Sequence, residues 1–547
     1  MAWHAEKSLW DSLQPPERIS FPKAAGGWIL VTGAVLLLLW VTGPVPSNIF
    51  PDDTLGHVES GNRILHGQRL NVDFIASHWG PLYLWLVALG IRLSGSASPL
   101  AHHWLQALSV IFLGTLLYLV ALPRLRLTWA LFLLLAADLL LILATPLGRA
   151  VWHEFGYAMY YNVMCFVPLA ALFVSLLIPR RESTPAGRWC DVLLEGLLLA
   201  LLFSLKAWYA VGALPGYVLI RCLWPRPGEK RFWGLIGLAL FAVLTAVLSA
   251  PGGGLRPYLA LLNSARECGV NPALLPMRYI QFSRTWSVAL LAVLLALVFA
   301  RQCALPWRRL LQMGLYSLAA MGAFMLGTAS SAQNLDTLPL MGVAPLATVL
   351  FAARTAREQK TLLERLGLYA ALFSVVLLLA QDPKNSFLSR TFLKVQVRSF
   401  ASVRAEARQA ETNISAADSA SLKYYNDPDF RKNVLLGLDL LRTAKVPQTE
   451  VLWIDSDYSQ FNHIVGNPPP KGSIVLCLVY TALQPAQHIL LQPSSFMEDT
   501  QWILDNKNFD YMGLVAFSRP DRKAYFESHF AQVGENERWI LYHRTAP

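Results

Sequence analysis

Two adjacent carboxylates, Asp52 and Asp53, follow directly after the first long apolar run of the chain, which fills residues 28–45. A run of this length can span a bilayer, so both carboxylates are placed where a helix leaves the membrane. Acidic side chains at such a place are costly unless they stay in water or take part in chemistry. A carboxylate there could act as a general base toward a hydroxyl group. Neighbouring cations could then stabilise a departing phosphate.

A structural role is the alternative for this pair. An amphipathic stretch follows at 55–65, and acidic residues before a helix that begins near Thr54 would suit its N-terminus. The first loop, 47–80, also holds further ionisable side chains: Glu59, Asp73, Arg63, Arg69, His57, His66 and His78. The loop therefore combines acids and bases at one edge of the membrane, which is what transfer from a phosphate requires.

Composition identifies the elements that must position these residues. Of the 547 residues, 54% are hydrophobic and only 15% are charged, whereas a soluble protein has about 25% charged residues. The apolar residues form long blocks, which indicates a mainly α polytopic membrane protein. The net charge of +11 comes from short basic clusters between these blocks. Such clusters carry topology information, so we expect no nucleic-acid partner.

The apolar blocks predict about eleven transmembrane helices. They lie at 28–46, 103–121, 128–145, 159–178, 191–206, 209–224, 232–250, 285–300, 310–328, 338–353 and 365–380. We assign the additional block 81–95 to the outer membrane surface, because the basic loop with Arg124 and Arg126 is then cytoplasmic. An odd number of spans places residues 381–547 on the outer side.

Three regions follow from this topology. Residues 1–27 form a cytoplasmic N-terminus, and 28–380 form a transmembrane domain with outer loops at 47–102, 146–158 and 251–284. The tail, 381–547, is polar, with a helix-like section at 387–445. Strand-like runs are at 451–454, 473–478, 511–517 and 539–542, and turn signals are at 466–470 and Asp505-Asn506. The tail is predicted to be an extracytoplasmic (periplasmic) α/β domain.

The order of the motifs in the first loop resembles that of membrane glycosyltransferases of the GT-C superfamily. The resemblance is to the group that contains the lipid A aminoarabinose transferases and the protein mannosyltransferases. In the aminoarabinose transferases, Pro-Asp-Glu-Thr is followed at a fixed distance by Gly, an extended stretch and Lys-Pro. Here Pro51-Asp52-Asp53-Thr54, Gly67 and Gly80-Pro81-Leu82-Tyr83 stand at these places. The resemblance implies that Asp52 is the catalytic base and Asp53 its neighbour. Gly80 stands where the phosphate-contacting lysine is expected, so His78 or a basic residue of another loop must make that contact.

Other outer segments offer further candidates. Glu154, in the second outer loop, would be the second acidic residue that the resemblance implies, and Arg149 lies beside it. Lys206 falls in a short outer turn between two spans, where a lysine either binds an anion or extends to the membrane surface. The remaining candidates are Arg256 and Arg278 for the phosphate, and Asp73, Gln333 and Asn334 for the sugar or the acceptor. No metal ligands are predicted, although carboxylates at a phosphate site could recruit a divalent ion.

The resulting hypothesis is a glycosyltransferase in a bacterial cytoplasmic membrane. It would move a sugar from a polyprenyl-phosphate donor to an envelope glycan or glycolipid at the outer face of the membrane. Its other expected partner is membrane lipid. A protein O-glycosyl or oligosaccharyl transferase is the alternative with a protein acceptor. A lipid or polysaccharide transporter is the alternative without chemistry, but transporters usually show paired repeats, and this chain has none that we detect.

Overall fold

The computed structural model describes residues 19–44, 51–142 and 156–267 with short gaps, isolated positions between 311 and 323, and 422–545. The gaps in the first part are 77–78, 158–159, 179, 181–183, 224, 226–229 and 251–252, and those in the last part are 423–424, 426, 456–460, 472, 475–498 and 508–519. This part of the chain is mainly helical, with a small β-sheet near the C-terminus.

The helices of the first part follow one another closely. They are α1 (Phe21–Thr42), α2 (Pro51–Leu65), α3 (Pro81–Ser94), α4 (Leu100–Ala121, with a π-helical turn at Val110–Gly114), α5 (Leu127–Leu141), α6 (Tyr160–Leu177), α7 (Pro185–Tyr217, continued by a π-helical turn at Val218–Leu223), α8 (Phe232–Ser249) and α9 (Leu255–Glu267). A two-residue strand, β1 (Phe74–Ile75), lies between α2 and α3.

Five of these helices, α1, α4, α6, α7 and α8, are long and apolar enough to cross a membrane. Together with α5, they coincide with the first seven predicted spans, because two predicted spans fall on α7. The last four predicted spans lie outside the described residues, apart from the isolated positions between 311 and 323. The chain is therefore a multi-pass membrane protein by the length and composition of its helices, and the count of eleven stays a prediction.

Helix α7 is an antiparallel pair of arms that meet at Lys206. The backbone of Lys206 is extended (φ −164°, ψ 108°), which breaks the helix at that residue. Arg221 Nε donates to Glu195 Oε2 at 3.0 Å although the two residues are 26 positions apart. In a straight helix they would be about 39 Å apart. The chain therefore reverses at Lys206, as predicted for the turn between spans 191–206 and 209–224.

The bundle thus has two distinct ends, which we call the Lys206 end and the Arg221 end. At the Lys206 end, the N–H of Gly80 donates to Leu205 O at 3.1 Å. Gly90 of α3 packs against the backbone of Ala101 at the start of α4. Helix α3, 14 residues long, therefore has contacts at the Lys206 end near both of its termini. This geometry agrees with the surface location predicted for 81–95, whose position relative to a membrane stays a prediction.

The Arg221 end is held by ion pairs that are buried or partly buried. Arg124 Nη2 lies 2.7 Å from Asp191 Oδ2, and Arg180 Nε lies 2.8 Å from Asp191 Oδ1. Ser175 donates to Glu195 at 2.6 Å, so the end of α6 joins the same network as the two arms of α7. Charges removed from water require such mutual pairing, and the network fixes how the helices meet at this end.

The C-terminal part forms a four-stranded mixed sheet covered by a helix. Its elements are α10 (Pro428–Thr443), β2 (Leu452–Asp455), α11 (Asn462–Val465), β3 (Ser473–Ile474), β4 (Trp502–Asn506), α12 (Pro520–His529), β5 (Phe530–Glu535) and β6 (Trp539–Arg544). The sheet order is β2-β4-β6-β5, with β2 and β4 parallel and the other pairs antiparallel. Apolar residues of α10 pack with Leu504 and Trp539 in the core beneath it.

Two of these strands differ from the sequence prediction. Asp505-Asn506, predicted as a turn, ends strand β4, because Asp505 pairs with Ile540 and Asn506 with Trp539. Pairing with strands on both sides outweighs the local turn preference of these residues. Strand β5 (Phe530–Glu535) was not predicted. The strand-like run predicted at 511–517 lies outside the described residues.

Candidate active site at the Lys206 end

Lys206 is a fully buried cation with one hydrogen-bond partner among the described residues. Its side chain has no solvent exposure, and its Nζ donates to Asn162 Oδ1 at 2.9 Å. The same nitrogen faces the ring of Tyr161 at 4.9 Å and that of Tyr209 at 5.8 Å. An ammonium group has three N–H donors, and in the described part of the chain no carboxylate pairs with it. This environment suits an anion that approaches from outside the protein.

The elements that meet here explain why Lys206 can be buried. The start of α6 supplies Tyr161 and Asn162, and the second arm of α7 supplies Tyr209. Aromatic faces stabilise a cation through the negative face of the ring, and the amide oxygen accepts one of its protons. Tyr209 Oη donates to the same Asn162 Oδ1 at 3.4 Å. These contacts hold the Lys206 side chain in one place inside the bundle.

Asp53 lies near Tyr161, the same tyrosine that Lys206 contacts. Its carboxyl group is within electrostatic range of the hydroxyls of Tyr83 and Tyr161. The residue as a whole is half-buried, whereas the carboxyl group is enclosed, and this burial raises the pKa of Asp53 to about 7. A carboxylate with a pKa close to neutral is well matched to taking a proton from a hydroxyl group and releasing it. Tyr161 thus contacts the buried cation and lies near the carboxyl group.

The acidic pair is part of a helix, which corrects the predicted helix start. Helix α2 begins at Pro51 instead of near Thr54, so Asp52 and Asp53 lie in its first turn. Proline is favoured at the start of a helix because its missing N–H would have no partner there. Negative charge in the first turn also interacts favourably with the helix dipole. The side chain of Asp52 is outside the described residues, so its catalytic role stays a prediction.

A chain of buried ring groups continues from α2 into the bundle. The Tyr83 hydroxyl lies 3.0 Å from His57 Nδ1 and 3.4 Å from His102 Nε2. His102 stacks on Tyr157 with ring centroids 4.6 Å apart, and His57 meets the edge of Trp79 at 4.2 Å. A hydroxyl has one proton to donate, so Tyr83 donates to one histidine and accepts from the other. These contacts hold α2, α3 and α4 together beside Asp53.

The other predicted site residues are divided between the described and undescribed parts of the chain. Asp73 binds Arg69 through both backbone and side chain, with Arg69 Nε at 3.2 Å, in the exposed part of the first loop. Arg256 is exposed on α9. His78, Arg149, Glu154, Arg278, Gln333 and Asn334 lie outside the described residues. The structure therefore places Asp53 and Lys206 near the same residue, Tyr161. The roles of all the candidates stay predictions.

Several residues that complete this cluster were not predicted as site residues from the sequence. His57, Tyr83, Tyr161, Asn162 and Tyr209 are all fully or almost fully buried at the Lys206 end. A signal for them was present, since polar and aromatic residues stand at the same end of successive predicted spans, where lipid contact would favour aliphatic ones. Within the described residues, no group of three or more His, Cys, Asp or Glu side chains could hold a metal ion.

No family model matches the chain, and no curated protein matches it. The chain is similar to several solved structures. One is ArnT, the lipid A aminoarabinose transferase, from Cupriavidus metallidurans bound to undecaprenyl phosphate, at 14% identity and a TM-score of 0.43, covering 95% of this chain and 99% of that one. ArnT in the apo state gives 13% identity and a TM-score of 0.44.

A second similar structure is the oligosaccharyltransferase of Archaeoglobus fulgidus in complex with zinc and sulfate. It is 11% identical, with a TM-score of 0.34, and the match covers 94% of this chain and 73% of that one. The resemblance that the first loop suggested is therefore found again among solved structures. All of these TM-scores are below 0.5, so the function is argued below from this chain's own residues.

Proposed function

We propose that this chain is a GT-C-type glycosyltransferase that takes a sugar from a polyprenyl-phosphate donor. The observation that most supports the proposal is the buried Lys206 ammonium, which has one neutral partner, Asn162, among the described residues. A buried charge without a countercharge is unfavourable. A lipid phosphate would supply the missing negative charge at the end of a helical bundle, next to the membrane surface. The position of Lys206 at the tip of the α7 hairpin fits a ligand whose tail stays in lipid.

The proposed reaction is a substitution at the anomeric carbon of the donor sugar. The acceptor hydroxyl oxygen forms a bond to this carbon while the bond from the carbon to the phosphate oxygen breaks. A carboxylate of the Asp52–Asp53 pair takes the hydroxyl proton, and the electron pair leaves with the polyprenyl phosphate. Lys206 stabilises the negative charge that develops on this leaving group. The resemblance assigns the base to Asp52, whereas the enclosed carboxyl described near Tyr161 is that of Asp53.

The acceptor is proposed to be an envelope glycan or glycolipid at the outer face of a bacterial cytoplasmic membrane. A protein acceptor is the alternative within the same superfamily. A transporter would need Lys206 for binding but would leave the bond between sugar and phosphate intact. Product analysis therefore distinguishes these functions, since only an enzyme releases free polyprenyl phosphate.

The test uses purified full-length protein with a panel of polyprenyl-phosphate sugars and envelope extract, followed by mass spectrometry. The variants are Lys206→Met, Asp52→Asn and Asp53→Asn, with Lys23→Met as a control, because Lys23 is exposed near the start of α1. We expect transfer by the wild type and the control, and loss of transfer with Lys206→Met and at least one aspartate variant. Thermal stabilisation by undecaprenyl phosphate, about 2.7 kcal/mol at 100 times its Kd, should disappear only with Lys206→Met. If the wild type neither binds this lipid nor consumes any donor, the proposal is wrong.

A further inference from the structure

The tail contacts helix α2 through a short segment, residues 461–471 and 473–474, which we call the strap. Glu59 Oε2 accepts two hydrogen bonds from His463, one from the backbone N–H at 3.1 Å and one from Nδ1 at 2.7 Å. Glu59 and His463 are 404 positions apart in the chain. The contact therefore joins the first loop to the C-terminal part, and it is specific, because two donors of one residue converge on one carboxylate oxygen.

The other oxygen of Glu59 completes a buried ion cluster. Arg63 Nε lies 3.2 Å from Glu59 Oε1, and the side chains of Glu59 and Arg63 have no solvent exposure. The His463 side chain is 1% exposed. Arg63 also extends to the strap, where its Nη1 lies 3.4 Å from Pro470 O. Charges removed from water need their partners in place, so this cluster allows one relative position of the helix and the strap.

Three further contacts join the first loop to the C-terminal part. Gln68 Nε2 donates to Pro469 O at 3.2 Å. Strand β1 pairs in parallel with β3 of the strap, with Phe74 opposite Ser473. Leu55 of α2 is fully buried in the apolar core of the C-terminal part. The strap therefore follows the first loop from the helix to the strand after it, which is more than one chance contact would produce.

Helix α2 has two faces with different partners. Leu55, Glu59 and Arg63 recur every four residues, so they share the face that contacts the tail. Asp53, His57 and Gly61 also recur every four residues and share the face that contacts the bundle. On this face His57 binds Tyr83, and Gly61 packs closely against α3. A rotation or shift of α2 that broke the tail contacts would therefore also move Asp53.

We propose that Glu59 and His463 are positioning residues, through which the tail holds α2 so that Asp53 faces the Lys206 cluster. The proposal rests on the proposed function for the consequence of this placement, namely transfer. Its structural part, that the strap fixes the bundle face of α2, is testable without turnover. On this proposal the tail determines where Asp53 lies, so it contributes to the geometry of the site.

The test compares His463→Ala with His463→Asn in the full-length protein. Alanine removes the side-chain donor, whereas the asparagine amide nitrogen can donate to Glu59 from nearly the same place as Nδ1. His66→Ala is the matched control, because His66 is an exposed histidine of the first loop whose side chain, within the described part of the chain, bonds to Asn62 O. Hydrogen–deuterium exchange over 51–65 measures whether α2 is held. The labelling rate of the thiol in an Asp53→Cys background, followed by peptide mass spectrometry, measures whether position 53 stays enclosed.

We expect His463→Ala to speed exchange in α2 by about tenfold, as expected for loss of local protection. Labelling at position 53 should rise by a similar factor. Where transfer is measurable, kcat should fall by up to about 10²-fold, since small misplacements are that costly, and the KM for the lipid donor should stay unchanged. His463→Asn should recover most of each effect, and His66→Ala should have none.

Unchanged exchange and labelling in His463→Ala would overturn the proposal, as would a wild-type kcat in a variant whose α2 is shown to be loosened. The proposed function fails separately, if wild-type protein neither binds undecaprenyl phosphate nor transfers sugar. In that case, faster exchange and labelling would still support the strap, and their absence would still reject it.

Discussion

The backbone N–H of Gly80 donates a 3.1 Å hydrogen bond to the carbonyl oxygen of Leu205, which ties the start of α3 to the turn that holds Lys206. A Cβ atom at position 80 would collide with the carbonyl oxygens of Ser204 and Leu205. The first-loop resemblance expects a phosphate-contacting lysine at this position. Here a side chain would collide with the backbone of the α7 turn, and under the proposed function Lys206 of that turn would make the phosphate contact. Position 80 therefore cannot carry a lysine without displacing the turn that holds Lys206.

Gly80→Ala should therefore displace the Lys206 turn. Because the colliding atoms belong to the backbone, we expect a loss of about 2 kcal/mol in the free energy of unfolding, as for other overpacked sites. Binding of undecaprenyl phosphate should weaken in parallel. Gly33→Ala is the control, since a Cβ atom there meets nothing within 4 Å. Thermal unfolding with and without the lipid measures both effects, and equal behaviour of the two variants would show that Gly80 has no special role.

Asn162→Asp should convert Lys206 from an anion site into an internal ion pair. Lys206 Nζ lies 2.9 Å from Asn162 Oδ1, so a carboxylate of the same shape would pair with it directly. We expect undecaprenyl phosphate to bind at least about tenfold more weakly, because a nearby like charge repels the phosphate and the ammonium is already paired. The protein without lipid should be more stable than the wild type.

Asn162→Ala separates this effect from simple loss of the amide. It removes the hydrogen bond without adding charge, so lipid binding should fall less than in Asn162→Asp while stability without lipid decreases. Titration of the lipid by calorimetry, combined with thermal unfolding, gives both quantities. Tighter lipid binding in Asn162→Asp would contradict the assignment of Lys206 to the phosphate.

The pH dependence of transfer should show the ionisation of Asp53. Burial raises the pKa of Asp53 to about 7, so a base at this position is available only above that pH. We expect kcat/KM to rise with pH and to level off above about 7. The fold favours the neutral carboxyl, so its contribution to stability is complete below the ordinary value of 3.8 and is lost as the pH rises through about 7.

Comparison of Asp53→Asn with Asp52→Asn tells which carboxylate is the base. If Asp53 is the base, its amide variant is inactive at every pH. If Asp52 is the base, Asp53→Asn stays active. The rise of its kcat/KM with pH then occurs at lower pH, because Asp52 no longer ionises beside a second carboxyl group. If kcat/KM of Asp53→Asn rises over the same pH range as that of the wild type, Asp53 does not titrate in the pH range of transfer.

The sequence predicted the helices well because their signal is long and local. An apolar run such as 232–250 needs no distant partner to be recognised, and helix α8 has nearly the same bounds. The reversal at Lys206 was predictable for the same reason, since two runs of span length meet there. Asp505-Asn506 shows the opposite case, because its strand conformation depends on β6, more than thirty residues further along the chain.

The candidate site was predictable only in part, for a related reason. Asp53 and Lys206 are ionisable residues at the ends of apolar runs, and such residues are conspicuous in a sequence. The strap was not predictable, because the Glu59–His463 contact spans 404 positions and neither residue has a local signal. Asn162 is ordinary at the start of a span, and its role appears only when α7 brings Lys206 beside it.

The buried pair of Glu195 and Arg221 tests the hairpin itself. Arg221 Nε and Glu195 Oε2 are 3.0 Å apart, with the glutamate fully buried. Arg221→Met should cost about 3–5 kcal/mol, because it leaves Glu195 charged and buried without this partner. Glu195→Met should also be destabilising, since Arg221 then loses its carboxylate.

The double variant shows whether the two arms are antiparallel. If the residues touch, the two losses should be far from additive, with a coupling energy above about 1 kcal/mol, because two methionines replace the pair without leaving a buried charge. In a straight helix the residues would be about 39 Å apart and the losses would add. Chemical denaturation of the four proteins in detergent gives the coupling energy. Undecaprenyl phosphate should bind to the folded fraction of every variant with wild-type affinity, because the pair lies at the opposite end of the bundle from Lys206.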